Sequence, residues 1–319
     1  MVSFGAMNVV RFLLLIVIVL TLPLSGIRGQ QRDCSDPLPA YDYSRVGYKQ
    51  GKVPIPYGKG KATVSLGPGR HVIDTLIRLS DGDILRGAGR DVTVLYFPKG
   101  LKALGEPCGH KGVDCYDWKN GVISASGKMI GIEDLTIEFP AHAWCHYCGD
   151  RNEGYNGIAL SGCTDCWVKN VTIRQCDSGL FIENHSSNNT AEGVHVYVND
   201  GVKSHLHITV SGFSTDNLVT DFKLYGSSYH GLTANWASTS NVFANGWGES
   251  LRIEPDHNCN GKGGAASCCP DILYSNIAGK VESIQTHDRG KNPLQAILWN
   301  VGEKTKCPED AYRAQLERK

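Results

Sequence analysis

Residues 163–182, CTDCWVKNVTIRQCDSGLFI, contain two short β-rich runs, VKNVTI and GLFI, separated by polar residues. Runs of Val, Ile and Thr that are bounded by Asn, Asp, Ser and Gly are typical of short strands joined by tight turns. We expect Val168, Val171 and Ile173 to point toward a core and Asn170 to lie at a turn. The stretch is therefore predicted to form one strand-rich coil of a larger structure.

The step from Asn170 to Val171, a polar residue followed by an apolar one, recurs along the chain. It returns as Asp134-Leu135, Asp221-Phe222 and Asn276-Ile277, and in a degenerate form as Gly193-Val194, at irregular spacings. Repeated short strands without helical periodicity are typical of a solenoid, in which each coil pairs with its neighbours. Loops of varying length would explain the spacings, and a β-sandwich with long connections is the alternative fold.

Two stretches resemble a known fold family. GRHVIDTLIRLSDGDILRGAGRDVTVLYFPKG (residues 69–100), with LRGAGRDVTVLYF inside it, resembles the opening coils of pectate-lyase-like β-helix proteins, and GYNGIALSGCTDCWVKNVTIRQCDSGLFI resembles their middle coils. The resemblance covers roughly residues 51–277. It implies an all-β fold, a single-stranded right-handed parallel β-helix (solenoid) with disulfide-bonded loop insertions.

The same resemblance implies no single activity, because the superfamily holds lyases, hydrolases, epimerases and non-enzymes. The motifs HGL and LRI are similar to those of polygalacturonase-type hydrolases, but the acidic motifs NTD and DD of that family are absent. The calcium and arginine signatures of pectate lyases are not recognisable either.

The first residues predict the compartment. Arg11 precedes the apolar run FLLLIVIVLTLPL and the small-residue segment SGIRGQ, which is the layout of a signal peptide over residues 1–29. A signal anchor is the alternative. We therefore expect a secreted, extracellular protein with no membrane span after signal cleavage.

The rest of the chain divides into three parts. A lead-in segment over residues 30–50 is expected to precede a β-helix domain over 51–300, with an insertion at about 102–155. The tail, 301–319, contains PEDAYRAQLERK, which predicts a short helix. Lys and Arg balance Asp and Glu at 32 each, which argues against a nucleic-acid partner. We expect a monomer whose partner is an extracellular polysaccharide.

Twelve cysteines are expected to form disulfides in the oxidising secretory route. A zinc site is the alternative, since Cys145-x-x-Cys148 and Cys163-x-x-Cys166 nearly match a four-cysteine spacing. The disulfide candidates, whose connectivity the sequence leaves open, are Cys34, Cys108, Cys115, Cys145, Cys148, Cys163, Cys166, Cys176, Cys259, Cys268, Cys269 and Cys307.

Three sequons are candidate glycosylation sites: Asn170 in NVT, Asn184 in NHS and Asn188 in NNT. Asn184 and Asn188 lie in a polar loop and are the better two. Asn170 is the weaker candidate because it is predicted to be a turn residue.

Aligning the coils on the recurring polar–apolar step places side chains in columns on one outward face. One column holds Thr136, Thr172, His195 and Lys223, and the next holds Glu138, Arg174, Tyr197 and Tyr225. Aromatic rings stack on sugar rings and cations pair with uronate carboxylates, so this mixture suits an acidic sugar polymer. An ordinary solvated sheet face is the alternative interpretation.

Candidate catalytic and binding residues follow from this face and from the polar loops beside it. A lyase acting on a uronate needs a base for the C5 proton and a cation, from a side chain or Ca²⁺, for the carboxylate. The catalytic candidates are Arg174, Asp177, Lys223, His230, Glu249 and Arg252. The substrate-binding candidates are His195, Tyr197, Tyr225, Glu254 and Asp256.

The leading hypothesis is a secreted polysaccharide-interacting β-helix protein that acts as a lyase by β-elimination. The first alternative is a non-catalytic carbohydrate-binding or matrix protein, including a mineralised matrix. The second is a glycoside hydrolase, in which Asp177 with Glu249, Glu254 or Asp256 would supply the two carboxylates. No metal site or cofactor is assigned, and Ca²⁺ is considered only as the cation of a lyase.

Overall fold

The structure, a computed structural model, describes residues 30–32, 42–105, 120–144, 152–199, 204–235, 238–257, 271–284, 297–302 and 315. These residues form eighteen strands and two short 3-10 turns, Tyr43–Arg45 and Tyr48–Gly51. The strands are β1 (Gln30–Arg32), β2 (Val64–Ser65), β3 (Gly69–Val72), β4 (Ile77–Leu79), β5 (Ile84–Arg86), β6 (Thr93–Tyr96), β7 (Ile123–Lys128), β8 (Gly131–Glu138), β9 (Asn156–Thr164), β10 (Trp167–Cys176), β11 (Ser178–Glu183), β12 (Thr190–Val198), β13 (Ser204–Val210), β14 (Leu218–Thr220), β15 (Lys223–Asn235), β16 (Val242–His257), β17 (Leu273–Ile284) and β18 (Ile297–Gly302).

The strands stack into three parallel sheets, because each pairs with the strand one coil earlier and one coil later. The first sheet runs β2, β5, β8, β10, β12, β14, β16, β17 and β18. The second runs β3, β6 and the later halves of β8, β10 and β12, and then parts of β15 to β18. The third runs β4, β7, β9, β11, β13, β15, β16 and β17. The predicted parallel β-helix is thus confirmed, and the β-sandwich alternative is wrong.

Each sheet contributes a ladder of buried apolar side chains to one continuous core. Val168, Val171 and Ile173 belong to it and are 0% exposed, which confirms their predicted inward orientation. In the third sheet the ladder is Ile123, Ile158, Leu180, Ile208, Leu232 and Ile253. Burying each such side chain contributes about 1.5–3 kcal/mol, so the stacked ladders are the main source of stability.

The recurring polar–apolar step marks the corner between the first and second sheets. Its polar residues adopt left-handed backbone conformations, with φ of 58° at Asp134, 56° at Asn170 and 52° at Asn276. Asn and Asp tolerate this region better than most other non-glycine residues, which explains their recurrence. The turn predicted at Asn170 is therefore confirmed.

Corner side chains also bond between coils. Asn170 Nδ2 donates to Asp134 Oδ1 at 2.5 Å, and Asn276 Nδ2 donates to Asn245 Oδ1 at 2.9 Å. The corner at Asn245 is followed by Gly246, where a Cβ would lie 2.1 Å from the Phe222 ring. That ring fills the space of the usual apolar residue, which is why the polar–apolar pattern is lost at this corner.

A second type of corner connects the third sheet to the first, and the motif CTDC belongs to it. Thr164 pairs with Ser187, Ser187 with Thr215, and Thr215 with Thr239 in successive coils. The same corner reads SSNN at 186–189, STDN at 214–217 and STSN at 238–241, so Cys163 replaces a serine and Cys166 an asparagine. In the later coils these asparagines form a buried ladder, in which Asn189 Nδ2 donates to Asn217 Oδ1 at 2.8 Å and Asn217 Nδ2 to Asn241 Oδ1 at 2.9 Å.

The disulfides expected for Cys163, Cys166 and Cys176 are not formed, because the structure holds all three as buried free thiols. They belong to the solenoid interior, where Cys163 Sγ donates to Ala125 O at 3.2 Å. The hydrogen bond between the Cys163 and Cys166 thiols raises the pKa of Cys163 and lowers that of Cys166. Burial raises the pKa of Cys176. The other nine cysteines, and with them half of the zinc motif, lie outside the described residues.

The lead-in segment covers the outer face of the first sheet. β1 pairs with β18 at one end, Tyr43 packs in a cluster with Leu218 and Val242, and Tyr48 meets the edge of the Trp167 ring. This segment therefore runs along the solenoid from its last coil toward its first. In the part of the chain that the structure describes, this leaves the outer faces of the second and third sheets as candidate ligand surfaces.

The insertion expected at about 102–155 includes β7 and β8, which pair with strands of the neighbouring coils; its bounds stay a prediction. The predicted signal peptide lies outside the described residues, as does the predicted C-terminal helix apart from Gln315, whose Oε1 accepts a bond from Tyr43 N at 2.7 Å. In the described part of the chain, no helix has the length and apolar character that crossing a bilayer requires.

Candidate functional site

Both columns predicted from the sequence are present on the outer face of the second sheet. Thr172 pairs with Thr136 and with His195, which pairs with Lys223. In the next column Arg174 pairs with Glu138 and with Tyr197, and Tyr197 with Tyr225. The alignment of the coils is therefore confirmed residue by residue.

The aromatic side chains of this face stack on one another. The rings of Tyr197 and Tyr225 lie 4.1 Å apart and 3° from parallel, and Trp247 continues the column 5.2 Å beyond Tyr225. Arg174 lies 6.0 Å from the Tyr197 ring and pairs with Asp91 at 2.7 Å. Because each tyrosine ring already faces a neighbour along the solenoid axis, the column presents ring edges to solvent.

The loop after β5 covers the N-terminal half of the same face. Arg90 Nε donates to Asn170 Oδ1 at 2.8 Å, and Asp91 N donates to Thr136 Oγ1 at 3.2 Å. Burial lowers the pKa of His195 to about 4, and the charges of Arg90 and Lys223 add to this effect. His195 is accordingly a neutral imidazole at neutral pH.

The outer face of the third sheet carries a different arrangement, centred on His230 and Glu254. His230 Nδ1 lies 2.8 Å from Glu254 Oε2, and the carboxylate side chain is only 2% exposed. Strand register places Glu254 beside Thr233 on the preceding coil, a few residues from His230. A buried carboxylate requires a hydrogen-bonding partner, and the imidazole of the adjacent coil provides it.

A second carboxylate–histidine pair lies on the same side, where the second sheet meets the third. His142 Nε2 lies 2.6 Å from Asp177 Oδ1, and Tyr155 N donates to Asp177 Oδ2 at 3.0 Å. Burial lowers the pKa of His142, but the hydrogen bond to Asp177 and its negative charge raise it more, so the net pKa is raised. The His142 imidazole in this pair therefore keeps its proton to a higher pH than an unperturbed histidine does.

His205 connects the two pairs. Its Nδ1 lies 3.1 Å from Ser178 Oγ, and its ring lies edge-on to His230 at 5.5 Å. Trp144 stacks on His205 at 5.6 Å and contacts Tyr229 at 5.5 Å. We call the set His142, Asp177, His205, His230 and Glu254 the histidine cluster.

The spacing of the coils bears on the hydrolase alternative. Asp177 precedes β11, whereas Glu249, Glu254 and Asp256 all lie on β16, three coils further along the third sheet. At about 4.8 Å per strand these coils are about 14 Å apart, which exceeds the separation that a pair of hydrolase carboxylates needs. The backbone positions therefore do not favour Asp177 with any of these residues as a hydrolytic pair.

The structure brings three of the predicted residues together, His230, Arg252 and Glu254, while Asp177 lies at the other end of the histidine cluster. Arg252 Nη1 donates to Tyr229 O at 3.2 Å. Glu249 lies on the same strand, but its Oε2 accepts a bond from Gly226 N at 2.9 Å, away from the cluster. The remaining predicted residues with described side chains lie on the second sheet, namely Arg174, Lys223, His195, Tyr197 and Tyr225. The side chain of Asp256 lies outside the described part.

Sequence reasoning missed His142, His205 and Trp144. His142 and Trp144 follow β8 in the chain, and His205 is the second residue of β13. Only the register, which pairs Ser178 with Leu206 and Leu206 with His230, places the second and third histidines on neighbouring coils. The sequence offered one signal for this cluster, which is that a histidine follows several of the polar–apolar steps.

Among the residues that the structure describes, no group of three or more His, Cys, Asp or Glu is arranged to hold a metal ion. The cluster contains two carboxylate–imidazole pairs, each joined by its own hydrogen bond, and His205 lies between them. Such pairs fit proton transfer, since the carboxylate orients the ring and fixes its tautomer.

No protein-family model and no curated protein sequence matches the chain. Among solved structures, the pre-mature bacteriophage phi29 gene product 12 matches at 12% identity and a TM-score of 0.48, over 70% of this chain but only 29% of that protein. Pectin methylesterase PemA from Erwinia chrysanthemi matches at 12% identity and a TM-score of 0.44, over 81% of this chain and 84% of that one. The A-module of Azotobacter vinelandii mannuronan C-5 epimerase AlgE6 matches at 13% identity and 0.36, over 78% and 92%. At these values they assign no family to the chain.

Proposed function

We propose that this chain is a secreted protein that binds an extracellular uronate-containing polysaccharide on the outer face of the third sheet and cleaves it by β-elimination. The observation that carries the proposal is the 2.8 Å contact between His230 Nδ1 and the buried Glu254 carboxylate. An ionised carboxylate can only accept, so Nδ1 carries the proton and the basic lone pair of this tautomer is on Nε2. That nitrogen is the base.

In the proposed reaction Nε2 of His230 removes the proton at C5 of a uronate residue. The electron pair of the C5–H bond forms the C4–C5 double bond, and the bond from C4 to the glycosidic oxygen breaks. His205, whose ring lies 5.5 Å from that of His230, supplies a proton to the leaving oxygen. Arg252, held near the base through Tyr229 O, offers the cation that stabilises the carboxylate as negative charge develops.

The test is incubation of the secreted protein with polygalacturonate, alginate, hyaluronan and glucuronan, followed by ultraviolet absorbance of the unsaturated product. We expect absorbance to rise on at least one polymer and to fall to background for His230→Gln. His185→Gln is the matched control, because His185 is exposed at a distant corner, where its ring stacks on that of Phe213.

Two results would redirect the assignment. New reducing ends without ultraviolet absorbance would show that the polymer is hydrolysed and would contradict the proposed β-elimination. No product on any polymer, together with retained binding on a glycan array, would leave a non-catalytic binding protein.

A further inference from the structure

A separate cavity of about 240 Å³ lies on the outer face of the third sheet, nearer to the first coil than the histidine cluster. Leu79 and Ala125, both buried, are its apolar part. Its polar lining consists of Arg78, Asn120, Ser124, Ser126, Ser161 and Glu183. One cation, one carboxylate, one amide and three hydroxyls thus surround a space below the 300–1,000 Å³ of drug-sized sites.

Neighbouring rigid strands hold these groups in fixed positions. Arg78 on β4 pairs with Ser124 on β7, and Ser161 on β9 pairs with Glu183 on β11. The side chain of Asn120 is tied to the backbone at the entry to β7, where Gly121 N donates to its Oδ1 at 2.9 Å. A site built on strands needs little reorganisation when a ligand arrives.

The chemistry of the lining selects a small, hydroxyl-rich anion. A guanidinium pairs with a carboxylate in bidentate geometry. A protein carboxylate accepts hydrogen bonds from sugar hydroxyls, and serine hydroxyls both accept and donate them. Glu183 is only 9% exposed, and its carboxylate oxygens can accept hydrogen bonds from sugar hydroxyls. We propose that this cavity binds one uronate residue, with Arg78 on its carboxylate and Glu183 and Ser161 on its hydroxyls.

This proposal deepens the proposed function and rests on it for the identity of the polymer. The strands of Arg78 and His230 are five coils apart in the third sheet, which is about 24 Å at 4.8 Å per strand. The sugar in the cavity is therefore not the one that reacts. Contact at both positions requires a long polymer, so the cavity would set a preference for chain length.

Binding tests the cavity independently of catalysis. The probes are trisaccharides of galacturonate, mannuronate and glucuronate, titrated calorimetrically into His230→Gln protein so that they stay intact. We expect at least one to bind and Arg78→Gln in the same background to weaken it at least tenfold. Arg45→Gln is the matched control, because the Arg45 side chain is 74% exposed on the lead-in segment. Cellotriose, which has no carboxylate, should not bind.

Three outcomes would overturn the proposal: no uronate trisaccharide binds, Arg78→Gln binds as tightly as its parent, or cellotriose binds equally well. If binding behaves as expected but no polymer is cleaved, only the lyase proposal fails. If the lyase is active, Arg78→Gln should raise KM for the long polymer at least fivefold with unchanged kcat, and leave KM for short oligomers unchanged.

Discussion

His230 and Glu254 stand on consecutive coils of the third sheet, and their side chains meet at 2.8 Å between Nδ1 and Oε2. The carboxylate fixes which nitrogen carries the proton and supports the positive charge that forms when the ring accepts another. Replacing Glu254 by Gln keeps the shape but removes that charge. We expect kcat to fall about 10–100-fold, less than the 10²–10⁴-fold expected for His230→Gln.

The measurement is initial rate against pH for both variants. Glu192→Gln is the control, since Glu192 pairs with Lys169 at 2.7 Å on the first sheet. Equal rates for Glu254→Gln and the native protein would show that His230 does not work through this carboxylate.

Two arginines on different sheets can be used to test which sheet face carries the reaction. Arg252 lies beside the histidine cluster, whereas Arg174 pairs with Asp91 on the second sheet, with side chains 40% and 57% exposed. Arg252→Gln should lower kcat/KM at least tenfold, and Arg174→Gln should change it less than threefold. Because exposed ion pairs contribute about 0–1 kcal/mol, the second variant should also keep its stability. The reverse order of effects would place the reaction on the second sheet.

The corner register predicts that Cys163 and Cys166 can be replaced by the residues that later coils use. In the double variant Cys163→Ser/Cys166→Asn, the new amide would donate to Gly127 O and Asn189 Oδ1. Asn189 makes the equivalent bonds, to Cys163 O at 3.0 Å and Asn217 Oδ1 at 2.8 Å. We expect a free energy of unfolding within about 1 kcal/mol of the native value, whereas Cys176→Ser, in apolar surroundings, should cost about 1–3 kcal/mol.

Urea titration at pH 7 measures these differences, and elemental analysis of the native protein measures zinc. A loss of several kcal/mol in the double variant, together with one bound zinc per native chain, would show a metal-linked corner instead.

Buried His207 predicts that stability falls in acid. Burial lowers its pKa to about 4, while its Nε2 contacts Tyr225 O at 3.1 Å. In the unfolded chain the histidine takes up a proton near pH 6.5, whereas in the folded protein it does so only near pH 4. Between these values protonation favours the unfolded chain, so the free energy of unfolding is highest above pH 6.5 and falls as the pH drops toward 4. The effect is about 3 kcal/mol at most, at 1.36 kcal/mol per unit of pKa.

Urea unfolding at pH 7, 5.5 and 4.5 should show this loss of stability. The His207→Asn variant should be less stable than the native protein at pH 7 and should lose less stability as the pH falls. His185→Asn controls for the removal of one histidine. An identical pH dependence in His207→Asn and the native protein would assign the acid sensitivity to other groups.

The sequons differ in how far their asparagines are engaged. Asn184 is exposed, whereas the Asn170 amide donates to Asp134 at 2.5 Å and accepts from Arg90 at 2.8 Å. In a eukaryotic secretion host we expect glycan on Asn184 and none on Asn170, because a glycan there would break the corner. Peptide mass spectrometry after enzymatic deglycosylation in heavy-oxygen water reads both sites, and a modified Asn170 in folded protein would contradict the corner geometry.

The sequence predicted those parts of the fold that depend on the conformation of one or two neighbouring residues. A left-handed corner favours Asn or Asp wherever it occurs, so the step at Asp134, Asn170 and Asn276 was visible without any partner. The alternation after each corner then placed Arg174 beside Tyr197 correctly.

The histidine cluster has no such local cause. Sequence stretches of different length separate His142, His205 and His230 from their corners, and only pairing between coils brings His205 and His230 together. The serine–asparagine corner repeats three times, at Ser186–Asn189, 214–217 and 238–241, but two cysteines conceal it in CTDC. Those cysteines carried a stronger signal of their own, for disulfides or zinc, and the structure holds both as free thiols.

The pairing of β1 with β18 also governs the order of events during synthesis. Gln30 lies beside Ile297, which the ribosome adds about 270 residues later. At 5–20 residues per second this is a delay of roughly 15–50 s, during which the segment around Gln30 has no docking strand. The earliest part of the domain to be made is thus the last that can reach its final position, after the whole stack of coils exists.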